Sequence, residues 1–528
     1  MFDTIQKYCK GWLFSSPNTE TKFESPGVGY VDDVTLGTCS ETKKETPRSL
    51  IQRINNIASF WEKLLHTNGG MLELKKCFWV LIIWKWVDGV PKMSKIRDTP
   101  ATLDLIQSQT NETVQVDRIE ASDAPKVLGC HMSADGDWKK EYARWRTTSK
   151  DFSTKVYRAR FDRICGSKIY PTLWVPKFRY VAPVIGFDMK KCEEIDKPVI
   201  GQCLPASGIN RNFPRHVVLG STLYGGLQWE SSYTIQAYEK IRFFLKNIRT
   251  KSRLGNLMKI LVETSQLSAG IEQNVLNTTV NWPLWTAQTW LTSLWTCLQD
   301  CEGGIHTIFN VGTSGRVNDR HLMNIFYNWN LPKKDLINLN ACRLYLRVTQ
   351  VSDITTYDGK YVELDSVNCI RTRRSTLIWP RQVWPSKTAR TCWRKMLRRL
   401  CYDDNSLIRP LGHWKNPSTQ IWPFMIEATS KILLCSNHND QWAHYRNGRD
   451  IYPKIKAPTG GTVIGYPVRV SITPTGYKII ESNIRKVPTP YQLNKLQPAQ
   501  KWAKLSTGHI TCHKARKMES TWKKVQKY

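Results

Sequence analysis

Asp32 and Asp33 stand side by side in GVGYVDDVTLG, Gly27 to Gly37, a run whose other residues are apolar or β-prone. Paired carboxylates suit phosphoryl transfer. Mg²⁺ (or Mn²⁺) takes hard oxygen ligands, keeps several waters and leaves positions open for substrate phosphates. Successive side chains of a strand face opposite ways, so both aspartates can serve one centre only where the chain turns. Val28, Tyr30, Val31, Val34 and Leu36 supply strands on either side of such a turn, and Gly27, Gly29 and Gly37 permit bending or close packing. An acidic surface turn is the competing reading, and the tetrapeptide alone does not choose between them.

A second set lies between Ser366 and Tyr402, a stretch without an acidic residue. Arg371, Arg373, Arg374, Arg381, Lys387, Arg390, Arg394, Lys395, Arg398 and Arg399 alternate there with Trp379, Trp384 and Trp393. Arginine for phosphates and tryptophan for stacking on bases would make a single-strand or template-RNA surface. A solvated basic helix with its tryptophans in a core is the alternative. Across the chain, 77 lysines and arginines against 44 acidic residues give a formal charge of +33, which favours a polyanionic partner. Cys435, His438 and His444 have a spacing zinc could use, but no fourth ligand is evident. Neither a ribonuclease H carboxylate set nor a glycine-rich phosphate loop is present.

These residues need elements to hold them. In the segment that follows the aspartates, Thr46 can cap and Pro47 suits a first helical turn, while Gly69 and Gly70 can end the helix. Leu50, Ile51, Ile54, Ile57, Ala58, Trp61, Leu64 and Leu65 give that helix one apolar face. LKKCFWVLIIWKWV then predicts a strand buried in a sheet, Pro91 to Gln109 a loop, and ETVQVDRIEAS with KVLGCHMSADGD a second hairpin-like pair. Helical spacing resumes at Trp138, Tyr142, Trp145, Phe152 and Val156. TIQAYEKIRFFLKNIRTKSRLG and PLWTAQTWLTSLWTCLQ predict two further helices.

In this order of elements GVGYVDDVTLG resembles the third palm motif of reverse transcriptases, the RNA-directed DNA polymerases of retroelements. The helix Pro47 to Leu65 sits where the family's palm helix follows its aspartates. GGMLELKKCFWVL is similar to the next motif, a glycine turn leading to a lysine, here Lys76. KVLGCHMSADGD is similar to the one after, with Leu128 and Gly129 at the hairpin that grips the primer end. VPKFRYVAPVIG and LYGGLQW, with the glutamine-bearing helix, resemble the thumb region of non-LTR-type polymerases, particularly the divergent ones of algal genomes.

The resemblance covers roughly Phe2 to Val351. It implies that Asp32 binds the catalytic metals and Asp33 supports that site. Tyr30 and Val31 would lie near the primer terminus and incoming deoxynucleotide, and Lys76 near the leaving pyrophosphate. The partners implied are an RNA template and a DNA primer.

Two departures stand out. Glu73 occupies the position where the family has asparagine. Only 29 residues precede Tyr30, and neither the motif supplying a third aspartate nor the glycine-glutamine motif is among them. The expectation is therefore an N-terminally truncated chain, inactive alone, with a non-catalytic RNA- or DNA-binding remnant as the alternative.

The fold class expected is α+β: a partial palm with an antiparallel sheet and packed helix over 1–135, a helical thumb-like region over 136–351, and a less regular, partly disordered basic region over 352–528. The first twenty residues do not read as a secretory signal and no apolar run is long enough for a membrane span, so a nuclear or cytoplasmic, non-secreted protein without a membrane partner is expected. Fifteen scattered cysteines fit reduced thiols.

Overall fold

The computed structural model describes residues 1–30, 33–40, 45–87, 90–250, 252–307, 316–355, 359–370 and 377–412, together with the backbone of strands between 424 and 480. The class is α+β, 49% helix and 12% strand. Two compact units divide the chain: Met1–Ser265 with Asn274–Pro283 and Ala287–Phe309, and the remainder.

The first unit opens with a short helix, α1 (Phe2–Tyr8), and two antiparallel pairs, β1 (Trp12–Ser15) with β2 (Lys22–Ser25) and β3 (Gly27–Tyr30) with β4 (Asp33–Leu36). Helix α2 (Pro47–Thr67) begins where Thr46 accepts from Ser49 N at 3.3 Å, and Pro47 loses nothing there because a first-turn N–H has no partner inside the helix. It ends at Gly69, whose φ of 78° belongs to glycine, with Gly70 N donating back to Leu65 O at 2.8 Å.

Two flanks of α2 are apolar. Ile57 and Trp61 pack with Ile5 of α1 and with Val34 and Leu36 of β4. Leu50, Ile51, Ile54 and Ala58 pack on Leu74, Trp79, Leu81, Leu103, Leu105 and Val116. Full burial of a side chain such as Ile5 or Ile57 stabilises by roughly 1.5–3 kcal/mol, which fixes the helix against the hairpin.

The single buried strand expected from Leu74 onward is broken. A 3-10 turn, Leu74–Lys76, precedes β5 (Phe78–Trp79), and β6 (Trp84–Val87) pairs with β7 (Val90–Met93). Trp79 and Leu81 are buried while Phe78, Ile82 and Trp84 are exposed, because one flank of α2 covers only part of so long an apolar run. The stretch expected as a loop also holds β8 (Asp104–Ile106), which pairs with β9 (Thr113–Gln115); β10 (Asp117–Arg118) lies parallel to β5. In place of one antiparallel sheet, this region holds a set of two-stranded pairs among the described residues. A last tight pair, β11 (Lys126–Val127) with β12 (Cys130–His131), leads into the helices.

The helical part holds α3 (Lys139–Ala159), α4 (Arg163–Ile169), a π-helical turn Tyr170–Trp174, α5 (Val175–Val181), α6 (Met189–Ala206), α7 (Arg215–Leu219), α8 (Ser232–Ile248), α9 (Arg253–Ala269) and α10 (Trp290–Asp300). Its core is aromatic: Trp145 meets Trp174 at 5.6 Å and Phe178 at 4.9 Å, edge to face, and Tyr170 stacks on Trp229 at 4.6 Å. The extra residue of the π turn lets Tyr170 and Trp174 both enter that core. The tryptophan-rich segment becomes helical only from Trp290, capped by the Thr289 hydroxyl.

Buried polar side chains lock the helices together. The Gln236 amide accepts from Phe187 N at 3.0 Å and donates to Phe187 O at 2.8 Å, replacing a backbone partner on both sides. Asp196 of α6 accepts from both Ser232 N and Ser232 Oγ at the start of α8.

The second unit contains α11 (Leu322–Asn328), α12 (Lys333–Leu346), α13 (Leu364–Val367) and α14 (Lys387–Arg398). The fully buried Arg343 donates to Asn340 Oδ1 and to the carbonyls of Val348, Leu267 and Ser268, and burial pushes its guanidinium down to about 9. A Cβ at Gly270 would lie 2.5 Å from the Arg343 Cζ, so glycine there makes room for the cation.

The sequence predicts irregular chain after residue 352, and 424–480 departs from that. β13 (Phe424–Ile426), β14 (Ile432–Asn437), β15 (Asp440–Asn447), β16 (Asp450–Lys456) and β17 (Thr462–Ile464) form a consecutive antiparallel sheet, and β18 (Arg469–Thr473) pairs with β19 (Gly476–Ile480). Two-residue connections such as those between Asn437 and Asp440, and between Asn447 and Asp450, favour this pairing. No helix among the described residues is long and apolar enough to cross a membrane.

Burial pushes the Asp196 carboxyl up to about 6, against the Ser232 hydrogen bonds that favour its ionised form. Between about pH 4 and 6 the folded protein keeps a proton there that the unfolded chain has released, so this group's contribution is full below about pH 4 and lost as pH rises through 6. Asp196→Asn is expected to remove ~1–3 kcal/mol of stability change across that window, read from urea midpoints at pH 4 and pH 7. An identical pH slope in the variant would reject this assignment.

Candidate functional site

Strands β3 and β4 pair Gly27 with Leu36, Val28 with Thr35, Gly29 with Val34 and Tyr30 with Asp33. The last pair closes a two-residue connection, Val31 and Asp32, which lies outside the described residues. Paired residues share a face and neighbours alternate. Val28, Tyr30, Asp33 and Thr35 therefore occupy one face, and Gly27, Gly29, Val34 and Leu36 the other.

The first face is open: Tyr30 is 64% and Val28 54% exposed, and Asp33 is exposed beside them. The second meets the Phe2 ring, which stacks on Trp61 at a centroid distance of 5.3 Å. A Cβ at Gly29 would come within 2.9 Å of that ring, and one at Gly27 within 3.0 Å. Gly29 thus leaves space for that ring, while at Gly27 the Thr35 carbonyl at 2.6 Å and the Leu36 side chain at 2.9 Å are closer still. Asp3, on the same helix, is exposed and pairs with Arg253 at 3.8 Å.

The other residues expected near the hairpin are placed as follows. Lys76 ends its 3-10 turn and is exposed, and Glu73 is exposed at the start of that turn. Leu128 and Gly129 form the two-residue turn of the β11–β12 hairpin with φ of 46° and 81°. Both angles are left-handed, as such a turn requires, and Gly129 meets that requirement without strain. Leu128 is held by Tyr180 of α5, whose hydroxyl donates to Leu128 O at 3.0 Å. Among the described residues the structure brings Tyr30 and Asp33 together, and no ion pair or hydrogen bond joins Asp33 to Lys76 or to the Leu128 turn.

The hairpin β11–β12 is fastened from below by Glu141, which is fully buried in α3. Its carboxylate accepts from His131 N at 2.8 Å, from Trp145 Nε1 at 2.8 Å and from the Arg144 guanidinium. The buried Cys130 thiol is pushed up to about 12, first by desolvation and then by the Glu141 charge.

In the basic stretch, Arg371, Arg373 and Arg374 lie outside the described residues. Arg381, Lys387, Lys395, Arg398 and Arg399 are exposed, and Arg390 and Arg394 half-buried. Trp384 is 56% exposed, with the Arg390 guanidinium 3.7 Å from its ring centre. Trp393 corrects the expectation of a base-stacking residue. It is fully buried in the α14 core, meets Phe326 edge to face at 6.0 Å and donates its indole N–H to Ser366 O at 2.9 Å. Helical periodicity explains this: Ala389, Trp393, Met396 and Leu397 make the inner face of α14, and the cations take the outer one. Cys435 and His444 lie on adjacent strands, β14 and β15, and His438 falls outside the described residues.

Magnesium is held by one or two carboxylates, water and phosphate oxygens, a demand that an exposed Asp33 beside Asp32 suits chemically. Among the described residues no group of three His, Cys, Asp or Glu side chains could hold a metal ion by itself. Phe2 and Tyr180 are contributors the sequence reading passed over; glycine at alternate strand positions was the available signal for a large ring beneath β3. Compared with protein-family models, curated proteins and solved structures, the chain has no match.

Gly29→Ala should force the Phe2 ring aside and destabilise the first unit by ~1–3 kcal/mol. In Phe2→Ala the same substitution should cost less by at least ~1 kcal/mol, a coupling read from a double-mutant cycle of urea unfolding. Additive effects would mean that the ring does not set the hairpin.

Proposed function

We propose that this chain is the lower palm, thumb and basic extension of a reverse-transcriptase-related retroelement protein. Its chemistry, in a protein that also has the fingers and first palm aspartate, is addition of deoxynucleotides to a primer copied from RNA. The observation that carries the reading is the β3–β4 hairpin, in which Asp33 opens β4 directly after the two-residue connection and the opposite face is packed on a long helix. That is the one arrangement in which adjacent strand residues can approach a common centre.

In this reading Asp32 and Asp33 hold the divalent cation, which when bound supplies charge neutralisation to a transferring phosphoryl group. Tyr30 shares the open face with Asp33 and offers its ring to a primer terminus or nucleotide sugar. The exposed Lys76 ammonium suits an anionic leaving group. The turn Leu128–Gly129, buttressed by Tyr180 and Glu141, presents backbone to a nucleic-acid strand.

A second reading, a nucleic-acid-binding protein without catalysis, is favoured by α14. Its outer face carries Lys387, Lys395, Arg398 and Arg399, and Trp384 beside it is more than half exposed. Cations on one helix face neutralise phosphates and release counterions whatever the state of the hairpin.

Primer extension separates the two. In a protein including the fingers and first aspartate, Asp32→Asn and Asp33→Asn should each lower incorporation by more than about 100-fold while RNA affinity stays unchanged; undiminished incorporation in either variant would sink the polymerase reading. For the chain alone, Lys395→Ala and Arg398→Ala should each reduce the slope of log affinity against log salt by about 1. Salt-dependent binding that ignores these two substitutions would exclude the α14 face.

A further inference from the structure

Leu223 and Tyr224 are 87% and 91% exposed, the most exposed large apolar side chains among the described residues. They project from a short loop between α7 and α8, and that loop is closed by its own hydrogen bonds. Ser221 O accepts from Tyr224 N and from Gly226 N, both at 3.0 Å, and Thr222 O accepts from Gly225 N at 3.1 Å. Ser221 Oγ accepts from Leu223 N at 3.2 Å. At the neck of the loop Gln228 N donates to Gly220 O at 2.8 Å, and Leu227 N and Trp229 N donate to Val217 O and Val218 O, both at 3.1 Å. Gly225 turns the chain at a φ of 76°, and a Cβ on Gly226 would lie 2.2 Å from Gly220 O. The neck is anchored in the core, since Val218 is fully buried and Trp229 stacks on Tyr170.

Ordering a loop costs conformational entropy, and the two tip side chains return little of it by burial. A tip held in this way is pre-organised for a partner arriving from solution. Two side chains are too few for a specific protein interface, which takes roughly 20–30 residues a side. One exposed aromatic ring is enough to stack one unpaired base. The charge leading into the loop points the same way. From Lys197 to Trp229 the chain has no acidic residue, while Lys197, Arg211, Arg215 and His216 fall in that stretch. Arg211 is exposed and Arg215 half-buried, Arg215 donates to Arg211 O at 3.2 Å, and among the described residues neither pairs with a carboxylate. Arg179 of α5, by contrast, is paired with Glu230 and Glu239, which offset its charge.

We infer that Tyr224 stacks on an unpaired base of a single-stranded nucleic acid, with Leu223 against the edge of that base and Arg211 and Arg215 holding flanking phosphates. A single strand is required because a duplex keeps its bases stacked on one another. The inference shares with the proposed function only a polyanionic partner and needs neither aspartate of the hairpin. The tip belongs to the first unit and α14 to the second, so either surface can fail while the other stands.

The test titrates the full chain with a short oligouridine over a series of salt concentrations. Tyr224→Ala should weaken binding by about 10-fold at every salt concentration and leave the slope of log affinity against log salt unchanged. Tyr224→Phe, which keeps the ring, should bind as the wild type does. Arg211→Ala and Arg215→Ala should each reduce the slope by about 0.7, the signature of a lost phosphate contact on a single strand. Photocrosslinking to the same strand carrying 5-iodouridine should place an adduct on Tyr224, read by peptide mass. The side chain of Tyr224 is exposed, so its variants should unfold at the wild-type temperature. Undiminished binding in Lys395→Ala and Arg398→Ala would remove the α14 face and leave this site standing. Unchanged oligouridine affinity in Tyr224→Ala, equal weakening of duplex binding in that variant, or no adduct on Tyr224 would each overturn the stacking site. Loss of binding to phosphatidylserine vesicles in Tyr224→Ala, with oligouridine affinity kept, would overturn it in favour of a membrane contact.

Discussion

The buried carboxylate of Glu141 is the constraint on which the first unit depends. Burying a charge without partners costs far more than a helix gains from one residue, so the site must be complete to exist at all. Here three groups converge on it: the backbone N–H of His131 in the hairpin, the Trp145 indole in the aromatic core and the half-buried Arg144 guanidinium. One side chain thus couples a β-turn, a helix and a core. Tyr180 adds a second tether from α5 to the same turn. The turn is held from two helices, which limits how far it can move independently of the bundle.

Where polar groups are buried, their satisfaction separates structure from reactivity. Gln236, Asp196 and Arg343 each close a local account of donors and acceptors and so specify how segments meet. Such groups behave as fasteners. A buried group with donors left over has another way to lower its energy, which is to lose its proton.

Local chemistry made part of this legible. Thr46, Pro47 and the glycine pair mark both ends of α2, and the spacing from Trp138 to Val156 marks α3, because caps and a 3.6-residue period are written in neighbouring residues. The β3–β4 hairpin was legible from β-prone residues and glycines on either side of the aspartates. The run after Leu74 was not: its apolar residues exceed what one flank of α2 can cover, and the sequence does not say which will be left outside. Trp393 and Trp384 look alike in a list of basic and aromatic residues, and only the helix period tells the core residue from the exposed one. The strands between 424 and 480 are short and interspersed with charged residues, a pattern easily taken for irregular chain. Phe2 was hidden by distance, since its partners lie more than two dozen residues along.

The period of two in β3 and β4 gives the Phe2 contact a further consequence. Slipping the pairing by one residue would exchange the faces, bringing Val28 and Tyr30 onto a ring that now meets glycine at both β3 positions facing it. The first helix therefore acts as a gauge for strand register: it measures, by contact with one aromatic side chain, whether Tyr30 and Asp33 point to solvent. A chain trimmed of those first few residues would keep every hairpin residue and lose the gauge.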